Sequence, residues 1–104
     1  MPTIRKSKRS SKFKKDWKKY KDNIQNQLEF HKVYEILINA EVFPQRYDDH
    51  ELIGNYKDHR ECHIRPDLLL IYKLVDSNDI DEETGKKIIY LHLVRIGSHS
   101  ELFR

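Results

Sequence analysis

The pattern of apolar positions predicts a helix early in the chain. Phe13, Trp17 and Tyr20 recur at spacings of four and three, which places one aromatic stripe on an otherwise Lys-rich helix. Ser10 or Ser11 can cap the N-terminus of this helix, and residues 3–8 before it can form a short strand. We expect the stripe to pack in the protein core rather than to stack on nucleobases.

A second helix is predicted to run to about residue 40. Asp22 or Asn23 can serve as its N-cap. Its apolar side is assigned to Ile24, Leu28, His31, Leu37 and Ile38, widened by Val33 and Tyr34. The first half of the chain is therefore expected to be a short strand followed by a helical hairpin.

The periodicity changes after residue 40. Residues 41–57 contain Pro44, Gly54 and the acidic pair Asp48-Asp49 and show no clear period. A structureless segment of this length in a small domain is usually functional. We therefore predict a functional loop here.

Three strand-like runs follow this loop, at residues 58–65, 67–75 and 86–96. The Pro66-Asp67 pair marks a tight connection between the first two, and the polar, turn-rich residues 76–85 join the last two as a hairpin. The final run is apolar at both odd and even positions, as in a central strand that is covered on both faces.

The order of elements predicts an α+β fold. Two N-terminal helices pack on one side of a twisted, mainly antiparallel sheet. Because 104 residues is the usual size of one domain, we expect a single domain spanning residues 1–104.

Composition excludes several classes of protein. No apolar run approaches the roughly 20 residues needed to cross a bilayer, so we expect no membrane association. The basic start is not followed by an apolar segment, so no signal peptide is expected. The single cysteine, Cys62, excludes an internal disulfide and a cysteine-based zinc site. These features fit a cytoplasmic protein.

Charge is unevenly distributed. Residues 1–21 hold ten of the twenty Lys and Arg residues but one acid, Asp16. Such a segment is either a solvated helix face or a surface that attracts phosphates, and both interpretations stay open at this point. On the second interpretation, Lys14 and Lys18 are candidate RNA contacts.

Histidine carries the candidate chemistry, because its side chain suits proton transfer near neutral pH. His31 within a helix and His92 within an apolar strand are interpreted as structural, and His59 as exposed. The other three lie at predicted loops or strand ends, where catalytic groups tend to sit: His50, His63 and His99.

These residues would suffice to cleave RNA, which carries its own nucleophile in the 2′-hydroxyl. One group removes its proton and another protonates the leaving 5′-oxygen. Asp67 can orient one imidazole, and Arg60, Arg65 and Arg95 can stabilise charge on the phosphate. Arg60 is the weaker candidate, because residues three apart in a regular strand face opposite sides of the sheet. The alternative is that all are scattered surface residues.

Three ordered motifs carry a family resemblance. Residues 47–57, YDDHELIGNYK, resemble the pattern D-H-x-L-x-G-x-[WY]-K. Residues 59–72, HRECHIRPDLLLIY, resemble R-[DE]-x-H-[IV]-x-P-D-x-[LI]-L-[IV]-Y, and residues 95–103, RIGSHSELF, resemble R-x-G-[ST]-H-x-x-L-F. Together they are similar to the YafQ-like branch of the RelE/ParE toxin superfamily.

This resemblance implies a RelE-like microbial RNase fold and a toxin that cleaves mRNA at the ribosome without metal or cofactor. The implied partners are mRNA, the ribosome and an acidic antitoxin of the DinJ/RelB type, with operator DNA bound only through the antitoxin complex. The family's functional positions fall on His50, His63, Asp67, His99 and Phe103. RNA or phosphate contacts are expected from Arg60, Arg65, Arg95, Lys57, Lys14 and Lys18.

Three other functions remain as alternatives. The gyrase-poisoning branch of the superfamily shares the fold but does not need catalytic histidines. A plain nucleic-acid-binding module would use the basic N-terminal half without cleavage. A metal nuclease would hold a divalent ion with histidines and an aspartate.

Overall fold

The structure, a computed structural model, describes residues 2–103, so that positions 1 and 104 of the predicted domain lie outside the described residues. The elements follow one another as β1 (Thr3–Arg9), α1 (Ser11–Tyr20), α2 (Ile24–Ile38), β2 (His50–Glu51), β3 (Arg60–Arg65), β4 (Leu68–Ile80), β5 (Lys87–Gly97) and α3 (His99–Leu102). Short 3-10 helices at Gln45–Tyr47 and Gly54–Tyr56 flank β2. Within residues 2–103, no helix has the length and apolar character that a membrane crossing requires.

The five strands form one sheet in the order β1-β5-β4-β3-β2. β1 pairs with β5 in parallel, and the other three pairings are antiparallel. The predicted α+β fold with a mainly antiparallel sheet is therefore confirmed.

The two long helices pack on one face of the sheet. Ser10 caps α1, because its side chain accepts a hydrogen bond from the Phe13 amide at 2.9 Å and donates one to the Val94 carbonyl at 2.7 Å. Phe13 is fully buried and lies beside Trp17 and Phe30. The aromatic stripe of α1 thus belongs to the core, as predicted.

The buried side of α2 differs from the prediction. Its buried residues are Asn26, Phe30, Val33 and Leu37, whereas Ile24 and Leu28 are 62% and 49% exposed. Asn26 takes an inward position because its amide donates to the Tyr20 carbonyl and its oxygen accepts from Arg65. His31, predicted to be structural, is exposed and lies 3.6 Å from Glu35.

The strands of the hairpin between β4 and β5 also extend further than predicted. β4 continues to Ile80, because polar side chains in this stretch bond across the pair: Ser77 to the Ile88 carbonyl, and Tyr90 to Asp79. The turn is closed around Asp81, which accepts from Thr84 and pairs with Lys6 of β1 at 2.9 Å. These contacts, that of Lys6 first, lower the pKa of Asp81 to about 2.

The segment predicted as a loop contains β2 and the two 3-10 helices. Asp49 holds it to the sheet, since its carboxylate accepts two hydrogen bonds from Arg60 and one from Tyr72 at 2.5 Å. The loop that carries His50 is therefore fixed at the residue directly before His50 by a part-buried carboxylate.

Two leucines of α2 provide a matched test of its buried face. Leu37 is 3% exposed, so Leu37→Ala should lower the free energy of unfolding by about 2–5 kcal/mol. Leu28→Ala should change it by roughly 0.5 kcal/mol, since the side chain is half exposed. Urea unfolding of both variants measures the difference. Equal losses would contradict the assignment of the buried face.

Candidate active site

The candidate site lies on the sheet face opposite α1 and α2. Along β3, side chains alternate between the two faces, so that Cys62 and Ile64 enter the main core while Glu61 and His63 face the other way. A smaller apolar cluster of Leu69, Ile71 and Leu102 covers this second face. It supports the segment where α3 leaves the end of β5.

His63, Asp67 and His99 are brought together here. The rings of His63 and His99 lie edge to face, 5.7 Å between centroids. Asp67, in the turn between β3 and β4, accepts from both the backbone amide of His99 at 3.1 Å and its Nδ1 at 3.2 Å. The backbone bond, followed by the ring bond, lowers the pKa of Asp67, so this contact is present above the usual pKa of an aspartate and is lost as the pH falls through the lowered pKa.

His50 reaches this pair through Asp48, a residue that the sequence analysis did not single out. The Asp48 carboxylate lies 3.9 Å from His50 Nδ1 and 3.6 Å from His63 Nε2. Asp48 has φ of 47°, a left-handed conformation that Asp adopts more readily than most residues. The same residue's carbonyl is 2.6 Å from His50 Nδ1, so it orients the imidazole.

Glu61 is the second residue that sequence reasoning missed. It is 3% exposed, and its carboxylate lies 3.3 Å from His63 Nε2. Three possible ligand atoms, one each from Glu61, His63 and His99, lie within 4.8 Å of one another. They are close enough to hold a divalent ion. Glu61 could have been found from the sequence, because it lies two residues before His63 and alternate residues of a strand share one face of the sheet.

Phe103 borders the histidines as expected, and Tyr56 joins it. The Phe103 ring lies 6.2 Å from that of His99 and 5.9 Å, edge to face, from that of Tyr56. Phe103 remains 42% exposed. The two rings offer an apolar wall for a nucleobase next to the imidazoles.

Among the predicted phosphate contacts, Arg65 lies beside the site. It lines one cleft of about 210 Å³ with His63 and another of about 280 Å³ with Asp67. One of its guanidinium nitrogens donates to Asn26 at 2.8 Å. The guanidinium of Arg65 is thus held by α2, while its residue lines the clefts next to His63 and Asp67.

The other predicted cations differ in their contacts. Arg60 shares the helix-facing side of the sheet with Tyr72 and is bound to Asp49, as expected from its spacing to His63. Lys57 lines a cleft of about 440 Å³ together with Arg60 and His59. Arg95 donates to Asp16 of α1 at 2.7 and 3.0 Å, and this bond, with a further one to the Tyr56 hydroxyl, raises its pKa. Lys14 and Lys18 are exposed on α1.

The arrangement suits general acid–base chemistry. The two imidazoles are in edge-to-face contact, and each has a carboxylate beside it. One ring can accept a proton while the other donates one.

Comparison with known proteins gives the site a context. The sequence pattern of a family described as the bacterial toxin of type II toxin-antitoxin system, YafQ, matches residues 5–104. An mRNA interferase toxin YafQ from Escherichia coli K12 is 36% identical over 87 residues, which are 83% of this chain and 77% of that protein. A relative from Haemophilus influenzae is 38% identical over 65 residues, or 62% of this chain, and the match spans 56% of that protein's length.

Solved structures agree with this match. The crystal structure of the Escherichia coli DinJ-YafQ complex superposes with a TM-score of 0.75 at 31% identity, covering 96% of this chain and 99% of that one. The crystal structure of a metal-bound toxin from Helicobacter pylori superposes with a TM-score of 0.69 at 41% identity, covering 99% of this chain and 100% of that one.

Proposed function

The chain belongs to the YafQ family of bacterial toxins of type II toxin-antitoxin systems, as its three motifs predicted, and from this premise we propose that it is an endoribonuclease that cleaves mRNA at the ribosome. The observation that carries the proposal is the edge-to-face pair of His63 and His99, with Asp67 bonded to the second ring. The name of the Escherichia coli relative, an mRNA interferase, supports it.

The proposed reaction uses the RNA 2′-hydroxyl as nucleophile. One of His63 and His99 removes the 2′-proton, and the 2′-oxygen then bonds to phosphorus. The bond from phosphorus to the 5′-oxygen breaks, and the other histidine supplies a proton to that oxygen. The products are a 2′,3′-cyclic phosphate and a 5′-hydroxyl.

The surrounding residues fit this reaction. Arg65, which lines clefts with His63 and with Asp67, is the proposed cation that stabilises charge on the phosphate. His50, oriented by the Asp48 carbonyl, is proposed to assist His63, because the Asp48 carboxylate lies near both rings. Phe103 and Tyr56 can stack on a base beside the cut.

Cleavage should require the substrate's 2′-hydroxyl and should survive chelation, because the proposed reaction uses no metal. The test incubates purified protein with translating ribosomes, with and without chelator, and maps the RNA ends. A 2′-deoxyribose at the cut site should abolish cutting there. Continued cutting of the deoxy substrate, or complete loss of activity in chelator, would contradict the mechanism and favour a metal nuclease that uses Glu61, His63 and His99.

Removing one histidine should reduce cleavage by about 10² to 10⁴, the usual contribution of one general acid or base. His99→Ala, His63→Ala and His50→Ala should all show this loss while circular dichroism and antitoxin binding stay near the parent's. His31→Ala is the control, because this exposed ring lies on α2, and it should leave the rate unchanged. A folded His99→Ala that cuts at the parent's rate would refute the assignment, and RNA binding without cleavage by the parent would favour a binding module.

The partner of this toxin is proposed to be an acidic antitoxin similar to DinJ, the protein named in the homologous complex. The basic surface of residues 1–21 suits such a partner, and an acidic, partly disordered segment can fold against it. Operator DNA would then be contacted through the antitoxin complex. We propose a cytoplasmic location for the protein, since its proposed substrate and partner are found there.

Association of toxin and antitoxin should slow and weaken as salt increases, because exposed charges are screened. Stopped-flow mixing of the two purified proteins across a salt series measures the association rate. Lys14→Gln combined with Lys18→Gln should reduce the salt dependence. A rate and affinity that are the same at low and high salt would exclude electrostatic attraction as the basis of the complex.

A further inference from the structure

We propose that Glu101 is a positioning residue for His99, and that it acts by joining α3 to the end of α1 through Lys19 and Tyr20. The role of His99 in cleavage rests on the proposed function above. The position of His99 itself is a structural property that can be measured whether or not the protein cleaves RNA.

Glu101 makes contacts on two sides. Its Oε2 accepts from Lys19 Nζ at 2.5 Å, and its Oε1 accepts from the Tyr20 hydroxyl. The same Oε1 accepts from the Ser98 amide at 2.8 Å, while the Ser98 hydroxyl accepts from the Glu101 amide at 3.3 Å. Glu101 thus completes a reciprocal N-terminal cap on α3 and links that cap to α1.

α3 needs such contacts because it has four residues, His99–Leu102. Isolated helices of this length are not stable in water. The Asp67 side chain that bonds His99 is 69% exposed, whereas the Glu101 side chain is 27% exposed. Glu101, the more shielded of the two carboxylates, and the buried Leu102 therefore attach α3 to the rest of the domain.

Gly97 shows how closely the Glu101 side chain packs on the backbone. A Cβ at this position would lie 3.0 Å from Glu101 Oε1 and 3.3 Å from Leu102 Cδ2. Gly97 does not have a positive φ, so the backbone conformation does not require glycine here. The close approach of Glu101 and Leu102 to the end of β5 leaves little room for a larger side chain.

The contact persists across the neutral pH range. Lys19 first, then Ser98 and Tyr20, lower the pKa of Glu101 to about 2. Burial, and then the bond to Glu101, raises the pKa of Tyr20 to about 12. The carboxylate is therefore ionised and the phenol protonated wherever a histidine can exchange protons.

A fixed α3 matters for catalysis because reacting groups must be held in place. A displacement of about 1 Å can lower a rate by about 10². His99 is the first residue of α3, so its imidazole moves with this short helix. Loss of the Glu101 contacts should therefore reduce kcat more than it changes KM for RNA.

The test compares Glu101→Ala with Glu101→Gln. Glu101→Ala removes all the side-chain contacts and should lower kcat roughly 10- to 100-fold with KM near the parent's. Glu101→Gln keeps an oxygen for Tyr20 and Ser98, so it should recover most of the rate. Amide hydrogen exchange at His99 should become faster in the alanine variant and stay near the parent's in the glutamine variant. Glu35→Ala, which removes an exposed carboxylate on α2, is the control and should match the parent in both measurements.

A folded Glu101→Ala with the parent's kcat and the parent's exchange at His99 would overturn the proposal. A lowered kcat with unchanged exchange at His99 would do so as well, because Glu101 would then act by another route. If Glu101→Ala fails to fold, Tyr20→Phe replaces it, since that change removes one donor to Glu101 and keeps the ring. Tyr20→Phe should accelerate exchange at His99, and unchanged exchange would overturn the proposal. If the parent itself does not cleave RNA, the proposed function fails while the exchange measurements still decide the role of Glu101.

Discussion

The register of the three central antiparallel strands is the constraint on which the candidate site depends. His63 of β3 lies opposite Leu69 of β4, and Leu69 lies opposite Gly97 of β5. This row of paired residues crosses the sheet. It brings His63, from the second sequence motif, beside the turn that carries His99, from the third motif. Because side chains alternate between faces, a slip of one residue would turn His63 and Glu61 into the helix-facing core. The buried Leu69 and Ile71, which cover this face, make such a slip unfavourable.

One face of the sheet carries most of the stabilising core, and the other face carries the candidate catalytic residues. The helix-facing side holds the large core and the Asp49 contacts with Arg60 and Tyr72, which fix the loop directly before His50. The opposite side has a small apolar cluster under α3 and leaves the histidines accessible. The loop thus takes its rigidity from one face and presents its imidazole at the other.

Sequence patterns predicted what depends on local chemistry and failed where tertiary contacts decide. The stripe of α1, its Ser10 cap and the three late strands follow from spacing and turn residues, and they are confirmed. The buried side of α2 was predicted only in part: Val33 and Leu37 are buried, whereas Ile24 and Leu28 are exposed. Asn26 takes an inward position through bonds to Tyr20 and Arg65 that no periodicity reveals. The motifs named His63, Asp67 and His99, which the structure brings together. Asp48 and Glu61 were missed, since one depends on a left-handed backbone and the other on which face β3 turns to the core.

Helix α1 shows why net charge alone does not describe how a basic segment is used. Its single acid, Asp16, accepts from Arg95 and from the Ile96 amide, so it binds the edge of β5 that extends beyond β1. Lys19 is directed to Glu101 and therefore to α3. Lys14 and Lys18 are exposed on the same helix. One face of α1 thus holds the C-terminal part of the site in place. The cations that remain in solvent can contact a partner, and added salt would screen those contacts.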